Sequence, residues 1–308
     1  MWSLKIILAA TAATVCCVNA FTPSPIPEDF DITDLTPSAV PESFEPNDVL
    51  GTMLLVIQDL ALNHAYTDSA RQRIFRYLDS PGVAVGYSIP QGRILEARQL
   101  MWALYECTWA LFSHQIVGGC DFGQPGQPLL GKVQYFATRG IDDASDGTVA
   151  EQEAAAIEQI ANQRPSTSRI SKRSTQEHSK QNRRIASRDN PSESANTDPI
   201  TARIEPSGGH IGNYDVFLSM AIAIIDLDSR TPDRTQDVVA RTYEDEESRV
   251  TIKYQPHPEA RSPAKYAETV TGLVEVSKEI LRMNRFYENS FVLLRGDDPF
   301  IDGSMKVN

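Results

Sequence analysis

The sequence has no run of the roughly 20 apolar residues that a helix needs to cross a bilayer, so no membrane span is expected. Cysteine is scarce: four in 308 residues are too few for a disulfide-dense scaffold. An excess of positive charge is lacking as well. Twenty-nine basic against 41 acidic side chains leave a formal net charge of −12, which argues against holding nucleic acid by phosphate neutralisation. No Asn-x-Ser/Thr acceptor is present; Asn196-Thr197-Asp198 and Asn289-Ser290-Phe291 place the hydroxyl one position too early, so N-linked glycosylation is not expected. Zinc-ligand spacing, a phosphate-binding loop, a dinucleotide-binding glycine pattern and a nucleophile elbow are all missing, and no cofactor is called for.

What is there begins with export. Lys5 precedes an apolar run from Ile6 to Val18, and Val18-Asn19-Ala20 supplies small residues at the positions before a cut. This three-part pattern predicts a secretory signal peptide over 1–20, removed after Ala20. Cys16 and Cys17 leave with it. The remaining Cys107 and Cys120 are expected to form one disulfide in an oxidising compartment, the Gly118-Gly119 pair letting the chain turn back; a buried free thiol at Cys107 is the alternative.

Residues 21–46 carry six prolines and read as an extended arm. From 47 to 140 the pattern changes to a first α+β lobe. Asn47 or Asp48 offers an N-cap to a helix with Val49, Leu50, Met53, Leu54, Val56, Ile57 and Leu60 at helical spacing. A second, polar helix is predicted over Asp68–Leu78, a strand over Val83–Tyr87, a long apolar helix over Glu96–Gln115 and a strand over Val133–Ala137. Residues 141–207 contain no aromatic residue and are rich in Ser, Asn, Gln, Arg and Asp, so they read as a disordered linker. A second α+β lobe spans 208–308. Tyr214–Leu227 reads as a buried helix or, at its end, a strand; Arg249–Tyr254 is a strand, Pro263 leads a helix to Met283, and Phe291–Leu294 is a strand followed by a polar tail over Gly296–Asn308. The fold class is α+β, with two helix-strand-helix-strand lobes that associate with each other.

The lobes carry a trace of duplication. A shift of 167 positions lays Asp48-Val49 on Asp215-Val216, Met53 on Met220, Ile57 on Ile224 and Asp59-Leu60 on Asp226-Leu227. The same shift puts Val83 on Val250 and Tyr87 on Tyr254.

The linker reverses the overall charge: between Arg164 and Arg188 the single acid Glu177 stands among eight basic residues. Lys172-Arg173 and Arg183-Arg184 are dibasic pairs in a stretch open to proteolysis, followed by Ser174 and Ile185 rather than proline, as a dibasic protease of the secretory pathway requires. No aromatics interleave with these charges, so a nucleic-acid patch is disfavoured. This plan of signal, lobe, dibasic linker and lobe is similar in layout to smut-fungus killer preprotoxins. The resemblance implies a secreted toxin or effector. Those toxins are cysteine-rich while only Cys107 and Cys120 remain here, and the resemblance assigns no site residue.

Candidates for chemistry are few. His64 and His114 each close an apolar helix, where a histidine serves as a favourable C-terminal charge, and with Glu106 they are the weak candidates for an acid–base pair. His178 lies in the linker and His210 at its edge. Asp297, Asp298, Asp302 and Gly303 suit calcium loosely but lack the spacing of a calcium-binding loop, so a solvated turn is expected and no metal site is assigned. Asp226 and Asp228 flank Leu227 as metal ligands or as a terminus returning to solvent, and Trp102 and Trp109 share one helical face that points to the core. The reading that results is a secreted interaction protein acting on an extracellular or host macromolecule, of effector or toxin-like kind. A secreted hydrolase with an unrecognised site and a precursor of a linker peptide are the alternatives. The hydrolase requires His64, His114 or the Asp226/Asp228 pair to converge with perturbed pKa values.

Overall fold

Two stretches of this sequence are apolar on every side, and both form helices enclosed by the rest of the molecule. The computed structural model describes residues 31–37, 45–65, 67–70, 73–76, 83–113, 118–123, 127–137, 198–231, 233–244 and 249–308. The first unit comprises β1 (Asp31–Pro37), α1 (Pro46–Asn63), β2 (Ser69–Ala70), β3 (Arg73–Arg76), β4 (Val83–Ser88), β5 (Leu95–Glu96), α2 (Ala97–Ser113), β6 (Gly118–Gly123) and β7 (Gly131–Ala137). The second comprises β8 (Ile200–His210), α3 (Asn213–Arg230), β9 (Arg241–Glu244), β10 (Val250–Pro256), α4 (Tyr266–Met283), β11 (Tyr287–Arg295) and β12 (Asp298–Val307). Four helices and three antiparallel sheets among the described residues make a mixed α+β protein.

The two large sheets have the same construction. Strand order is β1-β6-β7-β4-β3 in one and β8-β11-β12-β10-β9 in the other, so each strand has a counterpart at the same place in chain and sheet. β2 and β5 pair separately, and the second unit carries an isolated antiparallel bridge between Asp237 and Lys265 at the matching place. The correspondence extends to register. One row across the first sheet reads Leu35, Cys120, Val133, Tyr87, Arg73. The matching row of the second reads Ile204, Phe291, Gly303, Tyr254, Arg241. Arginine and tyrosine recur at equivalent positions. The helices agree as well: Thr108 of α2 hydrogen-bonds back to the Leu104 carbonyl, and Ser277 of α4 does the same to Leu273.

Each sheet packs on its own two helices, and the helix pairs face each other, so the sheets lie outermost. α1 lies against both α3 and α4, and α2 against α3. α1 and α3 run in the same direction: Asn213 Nδ2 donates to Asn47 Oδ1 at 3.1 Å at their N-terminal ends, and their C-terminal ends share the contacts described below. That is where a twofold axis along the helices would place two equivalent segments. Thr52 and Ser219, which coincide under the 167-position shift, are both fully buried. Phe112 of α2 stacks on Tyr214 of α3 with ring centroids 6.2 Å apart, closing the joint at another point.

Several expectations are corrected. Asp68–Leu78 is not a helix; β2 and β3 occupy it, and pairing with β4 along the sheet edge overrides the helical propensity of a short polar segment. Within the proline-rich arm, Asp31–Pro37 is the edge strand of the first sheet, with Pro37 at its last position. Ile200 to Ser207, read as linker, belong to β8, where Ile200, Ala202 and Ile204 point inward. The supposed polar tail is β12, the middle strand of the second sheet. Counting the strands of the large sheets, each unit therefore reads strand, helix, two strands, helix, two strands rather than helix-strand-helix-strand. α1 begins at Pro46 with Glu45 as N-cap, so Asn47 is free to bond Asn213. Lys265, not Pro263, precedes α4, and the Glu268 side chain reaches back to the Lys265 N–H. The signal segment, the linker over 141–197 and the dibasic pairs Lys172-Arg173 and Arg183-Arg184 lie outside the described residues.

Candidate functional site

The polar groups that stand out are those gathered where the second unit grips the end of α1. The last carbonyls of a helix have no partner within it, and at α1 two of them are claimed across the joint. Arg234, just beyond α3, donates from Nη1 to the Leu62 carbonyl at 2.9 Å and from Nη2 to Asp228 Oδ1 at 3.2 Å. The Tyr266 hydroxyl, at the start of α4, lies 3.0 Å from the Ala61 carbonyl and 2.5 Å from Asp228 Oδ1. The Arg234 guanidinium also sits over the Tyr266 ring, 5.3 Å from its centroid. A cation against the negative end of a helix is favourable, the more so when shielded from water. Asp228 is 1% exposed, and its Oδ2 has no partner. Burial pushes its carboxyl above the ordinary range, against the opposing pull of Tyr266 and Arg234. Burial likewise raises the Tyr266 phenol, with Asp228 adding to it.

Two residues earlier, on another side of α3, Asp226 faces another set. Arg230 Nε donates to its Oδ1 at 2.7 Å, and Arg241 Nη1 of β9 lies 3.7 Å from Oδ2. Tyr254, buried in β10, has its phenol raised by desolvation, with the Arg241 and Arg230 charges opposing and Asp226 reinforcing. The two aspartates thus serve separate arginine clusters, one at the sheet edge and one at the joint. They do not converge as a pair of metal ligands. Reading them as a helix end that returns to solvent is also overturned, since both are buried.

The other sequence candidates are dispersed. Cys107 of α2 and Cys120 of β6 are joined in a disulfide with Cα atoms 5.8 Å apart, tying helix to sheet within the first unit. His64 closes α1, its N–H bonded to the Leu60 carbonyl, and Glu106 is half-buried on α2. His114 lies outside the described residues. Asp298 meets Arg261 and Arg295 at 3.7 Å each, and Asp302 meets His257 at 3.6 Å; of the expected solvated turn only Gly296 and Asp297 form the turn, while Asp298, Asp302 and Gly303 belong to β12. Trp102 is buried against Tyr105 and Trp109 packs on the core. Neither Arg234 nor Tyr266 stands out in the sequence, because each acts on a residue more than 170 positions away.

No family model and no curated protein matches the chain. Among solved structures, the crystal structure of the tandem DUF26 ectodomain of an Arabidopsis thaliana cysteine-rich receptor-like protein is similar at 10% identity, covering 89% of this chain and 96% of that one with a TM-score of 0.25. The functional reading therefore rests on the residues of this chain.

Proposed function

We propose that the protein is a tandem duplication of one α+β unit, exported and matured to two non-covalently paired lobes that act as an extracellular interaction protein of effector or toxin-like kind. The observation that carries the proposal is the joint. Among the described residues, every interlobe contact comes from either side of the segment 141–197, and the Cys107–Cys120 bridge lies wholly within the first lobe. Cutting after Arg173 or Arg184 would sever no described contact and leave helix packing and the α1 clasp to hold the halves. The shared strand order, the matched rows and the residues coinciding under one shift support duplication. The signal segment and the absence of glycosylation acceptors support an unglycosylated secreted product.

Intact-mass spectrometry of the secreted material, with size-exclusion chromatography, tests this reading. The expected result is two chains, one beginning at Phe21 and one just after a dibasic pair, that co-elute as one particle and part in denaturant without reductant. A single uncut chain, or halves that separate under native conditions, would sink it.

A further inference from the structure

The joint carries a detail that ion pairing alone does not satisfy. A phenol has one proton, yet the Tyr266 hydroxyl lies within hydrogen-bond distance of two acceptors, the Ala61 carbonyl and Asp228 Oδ1. If Asp228 is ionised, that proton goes to the carboxylate and the Tyr266–Ala61 contact is one between two acceptors. If Asp228 holds a proton, it donates to Tyr266, Tyr266 donates to Ala61, and both contacts become hydrogen bonds. The leftover Oδ2, which has no partner, is then a neutral oxygen rather than a buried charge, and the neutral one costs far less to leave bare. We propose that the Asp228 carboxyl is protonated when the joint is closed, so that the grip of the second lobe on α1 is a pH-responsive contact, tighter in acid.

The raised position of the Asp228 carboxyl, caused first by burial, agrees with this. The charged group that meets it is Arg234, and the other ionisable groups of the neighbouring elements are engaged elsewhere. Arg234 comes from the turn after α3 and favours the ionised form. Arg230 and Arg241 are occupied by Asp226, and Lys265 beside Tyr266 is paired with Asp237. From α1 come the Ala61 and Leu62 carbonyls, the negative end of that helix, with His64 just beyond. An aspartate ionises near pH 3.9 in an unfolded chain. A carboxyl raised above that in the fold stabilises in full below about pH 3.9, and the contribution is lost as pH rises through its folded-state value.

The experiment compares unfolding temperatures of the full chain and of Asp228→Asn from about pH 4 to about pH 8, bracketing the reference value near 3.9 from above. Asparagine keeps a donor for Tyr266 and does not titrate. The expected result is that the wild type loses several degrees relative to the variant as pH rises, with His64→Gln behaving like the wild type. Parallel profiles, or a wild type that gains on the variant, would overturn the proposal, the second outcome identifying an ordinary ion pair with Arg234. Should Asp228→Asn fail to fold, infrared spectra of the native protein serve instead: a protonated-carboxyl stretch that titrates, and moves in Tyr266→Phe, is expected, and its absence at low pH refutes the idea. None of this depends on cleavage of the linker.

Discussion

Replacing Phe291 by alanine is expected to lower the free energy of unfolding by about 3–5 kcal/mol. The ring is 1% exposed at the middle of β11, with its far end against Gly303 of the neighbouring β12. A Cβ added at Gly303 would come within 2.1 Å of Phe291 Cζ, so strand backbone and ring are already in contact. Backbone in the central strand cannot collapse into the space the ring leaves, which puts the cost at the upper end of core truncations. The companion change Gly303→Ala should also destabilise the wild type, by about 1–3 kcal/mol through overpacking. In a Phe291→Ala background it should cost much less, because the added methyl then has room. Calorimetry of the four proteins completes the cycle. Additive losses would show that the ring does not fill the position that a β12 side chain would take.

The second large effect concerns the equivalent place in the first lobe. Where the second sheet carries Phe291, the first carries Cys120, bridged to Cys107. Counting from the first residues of α2 and α4, Val276 stands where Cys107 does. One lobe secures helix to sheet with a covalent strut and the other with a phenyl ring. Cys107→Ser with Cys120→Ser is expected to cost about 3 kcal/mol, the chain-entropy figure for a loop of this size. Both sulfurs are fully buried, and the serine hydroxyls would add to the loss. Because Trp102 and Trp109 both belong to the first lobe, urea titration followed by fluorescence reports that lobe directly. An unchanged midpoint would mean that the bridge contributes nothing to the folded state.

The helices were legible because their signal is dense. The stretches 49–60 and 216–227 are mostly apolar, broken by few polar residues, and several of their positions match under one shift. Strands at 83–87, 133–137, 249–254 and 291–294 were legible as well, and others hid for local reasons. In β1 a bulge falls between Ile32 and Asp34, so the inward-pointing Ile32 and Leu35 are three apart and the alternation of a strand is broken. In β12 the inward positions are Ile301, Gly303 and Met305, and the glycine that lets Phe291 in also erases the pattern. β8 did alternate, as Ile200-Thr-Ala-Arg-Ile204, but the polar composition ahead of it hid its first eight residues. The joint was beyond reach. Asp228 drew attention as half of an acidic pair, whereas its partners come from separate segments that only the tertiary fold brings together.

Two nearly equivalent helices laid side by side could in principle each pair with a copy of themselves, giving dimers of identical halves while the chain is being made. The clasp removes that degeneracy because, among the described residues, it has no counterpart on the other side. Under the same shifts Asp228 falls on Ala61 and Tyr266 on Ala97. Two first lobes brought together would meet alanine to alanine with no hydroxyl or guanidinium to take up the α1 carbonyls. Two second lobes would set one Asp228 side chain against another where α1 offers the small Ala61. Unlike halves alone satisfy each other, so correct partnering is written into a few side chains at one end of the helices.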